Sequence, residues 1–542
     1  MYSKGLKSFL AIVSIAVVSL ICRASVYAQC SPAAPTTIGD VNGDAGIDVF
    51  DVIGLIGIAF SGEPASHFLG SEDINGDGGT DVFDVISVIG VAFSGDPTVF
   101  PPRVYPLTGR IGQGSRQLVK DPAMQYRIYG VWSIGSDTVN GSTDTVSVCQ
   151  KTDTLIIPPG VVVQGDSSRS VPSALVVRRT GYILAVGTAA EPVVLTSMMP
   201  VGSRNRSDWG GVVINGAAPN NNRPSYMYNT EGGLNVGKGG GNIPNDNSGC
   251  LVYVREEFSG REFSLDNELN GITLNSVGSG TTLEYVQVNA SADDGIEWFG
   301  GTVNIKHAVI SNYDDDSFDT DLGTPFKGQF LLAVQDRNAP GSANHESFEW
   351  DNHPDPATEY EDLPRNMPTV YNTTHVGMGH EFIAAPNEGV HMRRGTAGQI
   401  FNTVWTRFRS AVDFDHAPTT RLITADSIHI GFSVWYDCGR WADDADSLGN
   451  EFKNNPVYSN QVYLNPTANP ALAPILVAAS FGDVGFPDFR PITPANPIGL
   501  DVAAGATPPN DGFFDPTATY LGCVKANDPA PWYSGWTNWD EH

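Results

Sequence analysis

The chain has 542 residues and a formal charge of −29, with 31 Lys and Arg set against 60 Asp and Glu. Such an anionic excess excludes nucleic acid as a partner and points to divalent cations, cationic partners or plain solubility. Beyond the N-terminal run no stretch is apolar for long enough to cross a bilayer, so no transmembrane segment is expected.

Lys4 and Lys7 precede an apolar run from Phe9 to Cys22, and Val26-Tyr27-Ala28 places small residues where a signal peptidase cuts. Residues 1–28 therefore read as a secretory signal peptide, and the mature protein is expected outside the cell or on its surface. Cleavage removes Lys4, Lys7 and Arg23 and no acid, leaving −32. Lipidation at Cys30 is disfavoured by Gln29 before it. Cys30, Cys149, Cys250, Cys438 and Cys523 remain, too widely spaced for a zinc motif. They allow one or two disulfides of open pairing and leave at least one thiol over.

Two segments then repeat at an offset of 33: Asp40-Val-Asn-Gly-Asp44 with Asp48-Val-Phe-Asp51, and Asp73-Ile-Asn-Gly-Asp77 with Asp81-Val-Phe-Asp84. Oxygen side chains fall at loop positions 1, 3, 5, 9 and 12, which are Asp40, Asn42, Asp44, Asp48 and Asp51, then Asp73, Asn75, Asp77, Asp81 and Asp84. That spacing wraps a hard cation, and Ca²⁺ is the expected ion. The apolar runs Val52 to Phe60 and Val85 to Phe93 each end in Ser-Gly-Xaa-Pro, so each loop should lead into a short helix. Residues 36–97 resemble a type I dockerin, which implies a cohesin-like protein partner and company with polysaccharide breakdown. Ala45 stands where that family usually has Gly. A calcium-folded stalk is the alternative, since so small a unit draws its folding free energy from metal.

Residues 98–124 read as a Pro-rich linker, and 125–510 as short β-rich runs broken by Gly, Asn and Asp. Asn270-Gly-Ile272, Asp294-Gly-Ile296, Asp316-Ser-Phe318, Glu346-Ser-Phe348, Glu388-Gly-Val390 and Ser410-Ala-Val412 align on their small central residues at intervals of 24, 22, 30, 42 and 22. A basal period near 22 with insertions predicts one solenoid coil per repeat. The first inward site reads Ile272, Ile296, Phe318, Phe348, Val390, Val412; two residues on come Leu274, Trp298, Thr320, Trp350, Met392 and Phe414. The expected fold is all-β, a right-handed parallel β-helix behind a small α-helical calcium module. The segments Asp208-Trp-Gly-Gly-Val-Val-Ile-Asn215, Asp293-Asp-Gly-Ile-Glu-Trp-Phe-Gly-Gly-Thr-Val-Asn304 and Gly535-Trp-Thr-Asn538 resemble exported bacterial β-helix proteins of unassigned activity. Residues 511–542 are expected to cap the open end, with stacking of Trp532, Tyr533, Trp536 and Trp539 on sugar rings as the alternative.

Residues between the inward sites point out and stack about 4.8 Å apart. One column reads Glu297, Asp319, Glu349, His391, Asp413, and the next Phe299, Asp321, Asp351, Arg393, Asp415. Stacked carboxylates must hold a cation, raise their pKa values or recruit positive neighbours. These positions are the candidate groove for extracellular polysaccharide. The order Ala292-Asp-Asp-Gly-Ile, Tyr313-Asp-Asp-Asp316, His345, Glu388-Gly-Val-His-Met-Arg393 also resembles polygalacturonase-type hydrolases. That resemblance implies Asp294, Asp315 and Asp316 as acid and water-activating base of an inverting glycosidase, His345 tuning the acid and Arg393 holding a substrate carboxylate. A lyase and a passive surface or fibre subunit remain as alternatives. Gly379-His380-Glu381 reads as a surface pair rather than a zinc site.

Overall fold

The computed structural model describes residues 30–61, 67–77, 79–94, 102–112, 114–137, 150–168, 170–232, 236–263, 267–335, 345–354, 356–379, 387–442, 449–464, 476–478, 487–492 and 505–540. The expected signal peptide, Cys149 and the His380-Glu381 pair lie outside them. No helix among the described residues is long and apolar enough to cross a membrane.

Two long sheets carry the body, and every pairing within them is parallel, so among the described residues one holds 18 strands and the other 11. Each strand pairs with its counterpart one turn earlier and one turn later: Ile272–Val277 lies between Val212–Asn215 and Ile296–Gly301. This is a parallel β-helix. The next rungs are Phe318–Asp321, Phe348–Asp351, Glu388–Arg393 and Ser410–Phe414, joined in the register the period predicts.

Inside, Ile296, Phe318, Phe348, Val390 and Val412 are wholly buried, as are Trp298, Trp350 and Met392. Their stacking explains the small residue at each rung entry. A Cβ on Gly271 or Gly295 would collide with Val288 or Ile310 of the facing sheet, so these two entries take Gly, while the small Ser317, Ser347 and Ala411 serve at other rungs. His375 is also interior, set 4.1 Å from Trp405 in a stacked pair and hydrogen-bonded to Ser347 and Thr373.

The stretch expected to be a linker already belongs to the β-helix. Arg103–Leu107 pairs with Met124–Ile128, and Gly114–Leu118 pairs with Asp153–Ile157. Pro106 is compatible with strand because it sits near the first edge, where a lost donor matters least. Before it come two loop–helix units with helices Val49–Ser61 and Val82–Ser94. Between them Phe68–Leu69 adds to the big sheet beside Gln117 and Leu118. Ile38, Val52, Leu55, Ile74, Val85 and Val88 share one continuous core with the first coils. Cys30 is disulfide-bonded to Cys250, while Cys438 and Cys523 are buried thiols.

The C-terminal segment differs from the expected end cap. Residues 505–540 lie along the flank of the large sheet as a strap. Asn402 and Asn372 donate to Ala506 and Tyr520, Gln329 accepts from the Asp515 amide, and Gln287 and Asn289 meet Asn538 and Asp540. Trp532 and Trp536 pack edge-on against the stacked rings of Tyr253, Tyr285 and His307. The aromatic ending thus presents no row of open ring faces. Outward Asn and Gln side chains on successive coils supply the hydrogen bonds that hold it there.

Candidate functional site

The acidic residues form three columns on the outer face of the 11-stranded sheet. Register places Glu297 beside Asp319, Asp319 beside Glu349, Glu349 beside His391 and His391 beside Asp413. The next column aligns Phe299 with Asp321 and Asp351 with Arg393, and Asp415 reaches His391 at 3.2 Å. A third column lies at the strand entries: Asn270, Asp294, Asp316, Glu346, Glu388 and Ser410. It is visible in the amide of each small residue donating to the carbonyl of the next column member, as Gly271 does to Asp294 and Ser347 to Glu388. Side chains tie it further, since the Asp316 and Glu346 amides donate to the Asp294 and Asp316 carboxylates at 3.0 and 2.8 Å. Sequence reasoning gave Asp294 and Asp316 roles and gave none to Glu346 and Glu388, although the same alignment contains them.

Charge is compensated unevenly along this face. At the later rungs Arg393 Nε spans both oxygens of Asp351 at 2.9 and 3.0 Å while its Nη2 pairs with Glu349, and Arg394 adds a contact to Asp351 at 2.6 Å. Arg393, expected to hold a substrate carboxylate, is thereby engaged with Glu349 and Asp351 of the protein itself. His345 lies beside Asp314 and Glu346, and burial lowers its pKa against their charges. Burial opposes a charge on His391, but bonds to Asp415 and Glu346 outweigh it and keep the imidazolium well above its ordinary range.

At the earlier rungs carboxyl groups face one another. Burial, and then neighbouring carboxylates, push Asp294, Glu297 and Asp316 well above the usual range. The more open Asp319 and Asp321 shift the same way for the same reasons. The half-buried Asp293 rises to about 7 and Asp315 to about 8. Glu231 and Glu268, carried by insertions, add their fields to Asp293, and Asn270 donates to Glu297 at 2.5 Å. Nothing in the periodic pattern pointed to the two insertion carboxylates.

Neither carboxyl oxygen of Glu388 has a hydrogen-bond partner, and burial first, then the charge of Glu346, pushes its pKa up to about 8. Burial would raise Glu346 too, yet the facing His391, 3.8 Å away, and Asp316 favour its charged form and leave its pKa below the ordinary value. The two buried carboxyls are thus pushed in opposite directions, Glu388 towards the neutral form and Glu346 towards the charged one. Three carboxylate trios, Asp293/Asp294/Asp315, Asp294/Glu297/Asp319 and Asp315/Asp316/Glu346, bring one oxygen each within 4.8 Å of one another, as does His391/Asp413/Asp415. Such spacing suits a divalent cation or a proton-transfer pair.

The loops of the N-terminal units are folded alike. Asp51 accepts from the Val41, Asn42 and Asp48 amides, and Asp84 from those of Ile74, Asn75 and Asp81. Asp40 accepts from Gly43 and Ala45, and burial, opposed by those bonds and aided by the facing Asp51 and Asp44, raises its pKa. Ala45 holds a φ of 72°, the left-handed turn that explains the family preference for Gly. The side chains at the five positions of each loop all offer oxygen, which fits a hard cation such as Ca²⁺.

A family model described as a pectate-lyase like beta helix domain matches residues 139–447. Searches of curated proteins and of solved structures find no significant match. The match covers more than half of the chain and spans the rungs from Ala174–Val177 to Arg440–Ala442, so the chain belongs to the family of pectate-lyase-like β-helix domains.

Proposed function

We propose that the chain is a secreted or cell-surface calcium-binding β-helix protein that holds extracellular polysaccharide along its acidic ladder. Its paired loop–helix units then anchor it to a cohesin-like partner. The observation that carries this function is the ladder itself: three aligned columns of oxygen donors on a rigid sheet, repeating about every 4.8 Å, a spacing on the scale of sugar residues in a chain. Export is supported by the signal-like N-terminus and by the Cys30–Cys250 disulfide, which suits an oxidising compartment. Anchoring is supported by matching apolar faces left open on the two helices, Phe50, Ile53 and Phe60 on one and Phe83, Ile86 and Phe93 on the other.

Hydrolysis is the second function to weigh, because Asp315 sits beside Asp316 and Glu346 and keeps a proton near neutrality, as a general acid must. A lyase is less well served, since Arg393 and Arg394 are both engaged with Asp351. Incubation with acidic and neutral polysaccharides, with and without chelator, separates these outcomes. Calcium-dependent retention without product supports binding; new reducing ends abolished by Asp315→Asn support hydrolysis; absorbance from an unsaturated product supports a lyase. No retention on any polymer, together with filaments under the microscope, would replace all three with a structural role.

A further inference from the structure

We propose that calcium in the two N-terminal loops locks the first coil of the β-helix, so that the loop–helix pair is a metal-operated end cap. The inference rests on the loops being calcium sites and goes beyond it, because an anchoring module needs no fixed geometry against the body it carries.

Each loop is keyed to the first coil by its own contact. In the second loop, the Arg103 guanidinium donates to the carbonyls of Asp73 and Ile74, and Gly76 lies against the same guanidinium. Arg103 opens the first strand of the body. In the first loop, Gly43 lies against the ring of Phe68, and a side chain there would collide with it. Phe68 in turn belongs to the short strand that pairs with Gln117 and Leu118. Tyr126 ties the same strand down by donating to the Leu69 carbonyl at 2.8 Å, and the Gln117 amide donates to His67 at 2.9 Å. The segments that lead into the two loops also meet, where the Gly39 amide donates to the Ser71 carbonyl.

The unit is an excursion anchored at both ends. Upstream, Gln117 and Lys120 hold Ala34 and Thr36, and Cys30 is bonded to Cys250. Downstream the chain enters the first strand at Arg103. Losing the cation therefore does not release the module; it loosens the loops that position Arg103 and Phe68, and bares the edge of Arg103–Leu107 and Gly114–Leu118. Calcium concentration then sets how well the open end of the solenoid is covered.

Hydrogen exchange on the full mature chain, in calcium and in chelator, tests this. Amides of residues 103–118 should lose protection by about tenfold or more on chelation, together with both helices. Arg103→Gln should remove much of the response of 103–107 while the helices still respond. The double variant Asp40→Ala/Asp73→Ala, which keeps both backbone carbonyls, should hold the first coil at its calcium-free protection even in calcium. Helices that respond while 103–118 do not would overturn the cap and leave the loops as calcium sites. Helices that do not respond either would overturn the calcium loops, and the cap with them.

Discussion

Arg393 is the residue on which the later rungs turn. It neutralises Glu349 and Asp351 together, and both are buried. Arg393→Ala leaves two carboxylates covered and short of their cation, a change that costs about 3–5 kcal/mol, read as a lowered denaturation midpoint. A further Asp351→Asn should recover part of the loss. The opposite pKa shifts of Glu346 and Glu388 predict an asymmetry between two chemically identical substitutions. Burial holds Glu388 towards its neutral form near neutrality, so Glu388→Gln, also neutral and of the same shape, should fall within about 0.5 kcal/mol of the parent. Glu346→Gln strips His391 and Asp316 of the charged acceptor they bond and should cost about 1–3 kcal/mol. Equal costs in urea titrations would remove the assignment of the proton. At this scale the sequence spoke clearly about Glu297, Asp319 and Glu349, which follow directly from strand alternation. It spoke less clearly about Glu346 and Glu388, because a residue at the turn into a strand has no fixed facing until the collision of a Gly295 Cβ with Ile310 shows which way the bend goes.

The rung is the element, and its identity was legible because each contacts only its neighbours: a period near 22 residues becomes lateral adjacency of Ile296 and Phe318, or of Glu297 and Asp319. Insertions escape that logic, so Glu231 entered the groove unannounced. Stacking also fixes how the face responds to pH. Asp293, Asp315 and Glu388 have folded pKa values of about 7, 8 and 8, all above those of an unfolded chain near 4. Raised folded values mean that the native state binds more protons, so the contribution of these groups to stability is complete below pH ~4 and is lost as pH climbs through 7 to 8. In chelator, calorimetric Tm should fall across that window, each extra bound proton adding about 1.4 kcal/mol per pH unit. Asp315→Asn should flatten the fall, and calcium should flatten it too if a cation occupies the Asp293/Asp294/Asp315 trio. A Tm that climbs from pH 4 to 8 in chelator would contradict the facing-carboxyl description.

Across the whole molecule, the solenoid is closed by parts that its repeat does not encode. Asn402 with Ala506, Gln287 with Asn538 and Arg255 with Trp536 join positions 104, 251 and 281 residues apart, and no local pattern announces such a partner. The strap these contacts form can be tested with a thiol it carries. Cys523 is fully covered, its amide donating to Thr374 and its carbonyl accepting from Trp532, and burial pushes the thiol up to about 12. Cys438 is equally covered but belongs to a rung, inside the continuous core. Neither should react with a maleimide in the native protein. Trp536 is buried over Tyr253 and Tyr285 and donates to the Trp532 carbonyl, so Trp536→Ala removes the broadest contact of the strap at a cost of about 3–5 kcal/mol. If the strap is a separate cooperative unit, mass spectrometry of the labelled variant should find Cys523 modified while Cys438 stays protected. Modification of both at one rate would mean that strap and coils open together, and the outward Asn and Gln ladder would then be an integral wall of the β-helix rather than a seat for a detachable band.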